Sequence, residues 1–155
     1  MKRPTENQVL GSFLMIYTIM SLLALWIATT PAAAADTRVG WMPVSEHYGY
    51  GESENVNEVH RGIFLEKRIS ETRWAGIMQY TNSFEDSSVA AYVATEFPVA
   101  ERVTWGYQLG LVTGYEQSPA PFGTITGSLY LTDNLFMRID TVPGVVAAFK
   151  MGVEW

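Results

Sequence analysis

Apolar and polar residues alternate along most of the chain. In the last segment, "VVAAFKMGVEW", Val145, Ala147, Phe149, Met151, Val153 and Trp155 hold one set of alternate positions, and Lys150, Gly152 and Glu154 fall between them. A period of two belongs to an extended strand whose faces meet different surroundings. The same alternation recurs upstream. In "VTWGYQLGLVTGY", Val103, Trp105, Tyr107, Leu109, Leu111 and Tyr115 oppose Thr104, Gly106, Gln108, Gly110 and Gly114. It returns in "VHRGIFLEK", "SSVAAYVATEF", "TITGSLYLT" and "NLFMRID", and more weakly in "TRVGWMPVSE" and "RWAGIMQYT". These are eight predicted strands, parted by turn-forming stretches such as "YGYGESEN", "ISET", "NSFED", "EQSPAPFG", "TDN" and "VPG".

The spacers differ in character. Those after the second, fourth and sixth segments are short, and the others are mostly longer or more polar. Eight strands with short turns on one side and loops on the other is the layout of a small outer-membrane barrel. A soluble barrel would reverse the faces, burying the apolar set and showing the polar set to water. Composition argues against that, because only 17% of the residues are charged. The polar set is largely Gly, Ala, Ser, Thr and Tyr, which suits a narrow lumen. Trp and Tyr near strand ends suit an interfacial girdle. The expected fold is therefore an all-β, eight-stranded antiparallel transmembrane β-barrel over residues 36–155, with the chain termini facing the periplasm. The loops at about 47–57, 82–87, 115–123 and 142–145 are then external.

The N-terminus adds an address. Lys2 and Arg3 precede an uncharged apolar run from Val9 to Ile27, followed by "ATTPAAAADT". A basic start, an apolar middle and small residues with A-x-A spacing read as a cleavable signal peptide over residues 1–35. With the barrel, this predicts export to the outer membrane.

Charge and residue usage exclude several function classes. A formal charge of −6 opposes nucleic-acid binding, which needs a Lys/Arg excess. With no cysteine there is no disulfide, thiolate metal site or Cys nucleophile. The two histidines, His47 and His60, fall on different strands, and no carboxylates cluster at ligand spacing, so neither a metal nor a cofactor is expected. At the external rim, "SEHYG" brings His47 and "YTNSFEDSS" brings Ser83 to the same end of the barrel. A hydroxyl needs a base to become a nucleophile, and histidine is the usual one. A solvated loop histidine and an Asn-Ser turn are the plainer readings of the same residues.

The chain resembles the lipid A palmitoyltransferase family of outer-membrane barrel enzymes. The matching pieces are "PVSEH" ending the first strand, Asn57 and Glu58 opening the second, and "QYTNSFEDSS" at the third-strand exit. "GLVTGY", "SPAPFGTITGSLY", "VPG" and the aromatic-terminated last strand follow in order, over most of residues 43–155. The resemblance implies acyl transfer from a phospholipid to lipid A by a monomer in the outer membrane, with the acyl chain inside the barrel. It implies His47 as base, Ser83 as nucleophile or polarising hydroxyl, and Asn82 as the orienting group. Asn82 stands where the family has an aspartate. Asp86 or Glu58 are the acids nearest to hand. Tyr115, Pro121 and Pro143 are the implied substrate-binding positions, the prolines marking where the sixth and seventh strands part, and Pro43 marks a second gap beside the first strand. The family's amphipathic helix before the barrel has no counterpart, since only Asp36 to Arg38 precede the first strand.

Phe64, Phe136, Ala90 and Ala94 point inward by parity and suit an acyl chain. Arg138, Asp140, Lys150 and Glu154 also point inward, and Lys150 and Arg138 are expected to pair with Asp140, Glu96 or Glu154 across part of the lumen. The alternatives are a non-catalytic surface or structural barrel and a lipid A deacylase.

Overall fold

In a computed structural model, which describes residues 36–48, 56–116 and 118–155, eight strands form one closed antiparallel barrel. They are β1 (Thr37–His47), β2 (Val59–Ser70), β3 (Arg73–Thr81), β4 (Ser87–Ala100), β5 (Val103–Val112), β6 (Ala120–Tyr130), β7 (Leu135–Val142) and β8 (Val146–Glu154). Each strand pairs with its sequence neighbours, and β1 closes on β8. The predicted signal segment and residues 49–55 of the first loop lie outside the described residues.

The faces are those of a membrane barrel. On β5, Leu109 is 60% exposed while its neighbour Gln108 is 1% exposed. On β8, Phe149, Met151, Val153 and Trp155 are exposed, and Lys150 and Glu154 are buried. Trp41, Ile63, Trp105, Leu111, Ile125 and Leu129 continue the apolar exterior around the wall. Such a surface is stable only against hydrocarbon, and closure pairs the strand edges that lipid could not hydrate.

β1 departs from simple alternation, and Pro43 is the reason. Arg38 and Met42 face inward, and so do Ser45 and His47, so the parity changes by one residue. Against β8 the register moves between Trp41↔Met151 and Val44↔Phe149, leaving one extra β1 residue in a bulge. Against β2 the ladder shifts between Met42↔Gly62 and Val44↔Val59, then continues with Ser45 N–H donating to Glu58 O at 2.9 Å. Pro43 thus makes a bulge and not the gap expected from the sequence, because the strands rejoin immediately beyond it.

The half of the lumen nearer the termini is filled by an ion-pair plug. Arg38 binds Glu96 through both terminal nitrogens, at 2.8 and 3.0 Å, and Glu154 through Nε at 2.9 Å. Its guanidinium lies 3.6 Å from the centre of the Trp74 ring. Arg138 forks onto Glu66 at 2.6 and 2.9 Å and reaches Glu96 at 3.0 Å. Tyr92 donates to Glu66 at 2.9 Å, and its ring packs over Gly76, where a Cβ would come within 2.5 Å of it. Paired and hydrogen-bonded charges of this kind are the form in which a narrow lumen tolerates ions. Arg138 meets Glu96 as expected but Glu66 more closely, and Arg38, which the broken β1 pattern hid, is the hub. Phe64 and Phe136 pack beside Arg138, their ring centres 5.8 and 5.3 Å from its guanidinium, and both are buried, as is Ala94.

Candidate functional site

Above the plug, the outer half of the lumen is a cavity of about 570 Å³ that reaches the rim. That volume lies within the usual 300–1,000 Å³ range for small-molecule sites. Its walls are mainly apolar, with Met42, Met78, Ala90, Val112, Phe122 and Ala148 among them. Its floor is polar. Lys150 pairs with Asp140, Gln108 donates to Asp140 Oδ2 at 3.0 Å, and Asp140 Oδ1 has no hydrogen-bond partner among the described residues.

The wall of this half is broken on one side. β6 pairs with β5 from Ala120 to Leu129, but with β7 only from Ile125 to Tyr130. Residues Ala120–Thr124 therefore lack a β7 partner, and Phe122 and Thr124 line the cavity beside this edge. Pro121 offers no N–H to either neighbour and faces outward. Pro143 lies in the β7–β8 turn, closed by Val145 N–H to Val142 O at 3.0 Å, and is exposed. The prolines thus flank the break without lining the cavity.

At the rim, His47 Nε2 and Ser83 Oγ are 2.9 Å apart, and both line the cavity. Two local features bring them together. The Pro43 bulge turns His47 inward, and the β3–β4 turn holds Ser83. Asn57 fixes that turn to β2. Its backbone N–H donates to Ser83 O at 2.9 Å, and its side chain donates to Asn82 O at 3.1 Å.

Asn82 does not orient the histidine. Its side chain is fully buried and fully used in holding the turn and tying it to the chain beyond β5. Oδ1 accepts from Phe84 N at 2.8 Å and Asp86 N at 3.0 Å, and Nδ2 donates to Gly114 O at 2.7 Å and Ser88 Oγ at 3.1 Å. Among the described residues, His47 Nδ1 has no hydrogen-bond partner, and the nearest acid is Glu58 at 3.9 Å, beyond hydrogen-bonding distance. Tyr115, which alternation puts outside, lines the cavity with its hydroxyl 3.3 Å from that of Tyr80. Gly114, at φ +87°, ends the strand path and turns Tyr115 inward.

A second hydroxyl–imidazole pair lies deeper in the wall. Ser45 Oγ hydrogen-bonds His60 Nε2, and His60 Nδ1 is 2.6 Å from the Thr81 carbonyl. A carbonyl only accepts, so Nδ1 carries the proton, Nε2 is the acceptor in the neutral ring, and Ser45 donates. Both side chains are buried from the exterior and line the cavity. The inward parity of His60 was legible in the sequence. Ser45 was hidden by the bulge, for which Pro43 inside a strand pattern is the available signal. Among the described residues, no group of three His, Asp or Glu side chains could hold a metal ion.

No family model matches the chain, and no curated relative matches it. Solved structures do. A de novo designed transmembrane β-barrel matches with a TM-score of 0.60 at 10% identity, covering 81% of this chain and 100% of that one. The N-terminal β-barrel domain of Pseudomonas aeruginosa OprF matches with a TM-score of 0.52 at 8% identity, covering 78% and 98%. The fold is that of an outer-membrane β-barrel. At these identities the likeness concerns architecture alone.

Proposed function

We propose that this outer-membrane barrel binds the acyl chain of a membrane lipid in its outer half-lumen and transfers it, with a phospholipid as donor and lipid A as acceptor. The observation that carries this reading is the break between the outer ends of β6 and β7, which gives a lipid chain a lateral route into an apolar cavity with the His47–Ser83 pair at its mouth. A closed wall would admit water-borne ligands from the rim only. In the proposed reaction His47 is the general base, and Ser83 is the nucleophile or polarising hydroxyl.

A non-catalytic barrel is the second reading. It is favoured by His47 Nδ1, unpartnered among the described residues, by the use of Asn82 to hold its turn and tie it to Gly114, and by the plug that fills the rest of the lumen. Mass spectrometry of lipid A from cells expressing the protein separates these readings. Gain of one acyl chain, abolished by His47→Ala, supports transfer. Loss of one chain points to a deacylase, and an unchanged profile at full expression supports the non-catalytic barrel.

A further inference from the structure

We infer that Ser45 is an acylated nucleophile of this cavity and His60 its general base. This rests on the reading that an ester reaches the outer half-lumen; it assigns the covalent step to the deeper pair, so that of the two roles open to Ser83 it keeps the polarising one, with His47, at the acceptor.

The two pairs are built differently. His47 has one ring nitrogen on Ser83 and, among the described residues, no partner for the other. His60 has both nitrogens engaged, one by the Thr81 carbonyl and one by the Ser45 hydroxyl. That is the nucleophile–base–orienting-group arrangement of activated hydroxyls, with a backbone carbonyl as the third member. The Tyr80 ring meets the imidazole edge-on at 5.9 Å and limits its tilt. The pairs share one wall, Ser45 and His47 being two residues apart on β1, about 7 Å along the strand.

The floor below Ser45 favours this placement. Lys150 and Asp140, with its unpartnered Oδ1, are poor company for a terminal methyl group. An acyl chain whose carbonyl lies at Ser45 can instead cross the lumen and leave through the β6–β7 break, keeping its tail in hydrocarbon. In the step itself, Ser45 Oγ bonds to the ester carbonyl carbon and its proton passes to His60 Nε2. The ester C–O bond breaks, and the departing alkoxide takes that proton from His60. An acceptor hydroxyl then reverses the sequence and frees Ser45.

An alkyl fluorophosphonate tests this on the full-length protein in lipid vesicles. Attack by Ser45 forms an O–P bond, expels fluoride and yields a stable adduct, which peptide mapping locates. The adduct is expected on Ser45 in the wild type. Labelling should be unchanged in Ser70→Ala, at the exposed far end of β2, and at least ten-fold slower in His60→Gln, with heat-dependent gel mobility confirming that each variant is folded. An adduct on Ser83 instead, or no adduct on a folded wild-type barrel, overturns the inference. Lipid A that gains a chain without Ser45 labelling removes this assignment alone, whereas Ser45 labelling with unchanged lipid A removes only the proposed transfer to lipid A.

Discussion

Asn82, expected to orient the rim histidine, does different work. Its two acceptor and two donor contacts fold the β3–β4 turn that presents Ser83. An aspartate cannot donate to the Gly114 carbonyl, so Asn82→Asp would set acceptor against acceptor in a buried site. The expected cost is about 1–3 kcal/mol of stability, the usual penalty for stranding buried polar groups, with no gain in any lipid-modifying activity. Guanidinium unfolding in lipid vesicles, followed by tryptophan fluorescence, measures it. A variant as stable as wild type would show that the amide contacts are dispensable. None of this was legible in the sequence, where an Asn-Ser pair in a turn predicts only a turn. The approach of His47 to Ser83 was legible, because both strands end at the same rim.

At the scale of the strand, legibility follows the period of two. β4, β5, β7 and β8 read correctly because nothing interrupts their alternation, and so the inward set from Ala90 to Glu154 is evident. β1 could not be read so directly, since Pro43 inserts a residue and exchanges the faces beyond it. This has a clean test, because the chain contains no cysteine to interfere. Val44→Cys should react only with lipid-soluble thiol reagents, and Ser45→Cys with a small aqueous reagent entering the lumen. If strict alternation ran through Pro43 unbroken, continuing from Met42, the two reactivities would be exchanged. Tyr115 was misread for a related reason, the left-handed Gly114 that follows β5. Pro121 and Pro143 were correctly placed beside a parting of strands, but the alternation could not show that their rings stay outside the cavity.

For the whole molecule, the lumen divides into two halves of different chemistry. The half nearer the termini spends its charges on a plug around Arg38 and Arg138, which gives the narrow tube a packed core. The outer half is left wide enough for a ligand and opens sideways between β6 and β7. Composition foretold an enclosed polar set but not its division, because parity gives a side chain's face and not its partner. Everything rests on which face meets lipid. Quenching by bilayers of brominated phospholipid tests this directly in two variants, each keeping one tryptophan and carrying phenylalanine at the other four positions. With Trp105 alone, 49% exposed on the exterior, fluorescence should be strongly quenched. With Trp74 alone, buried in the plug at 1% exposure, it should be nearly untouched. Strong quenching of Trp74 with Trp105 spared would turn the barrel inside out and contradict the account.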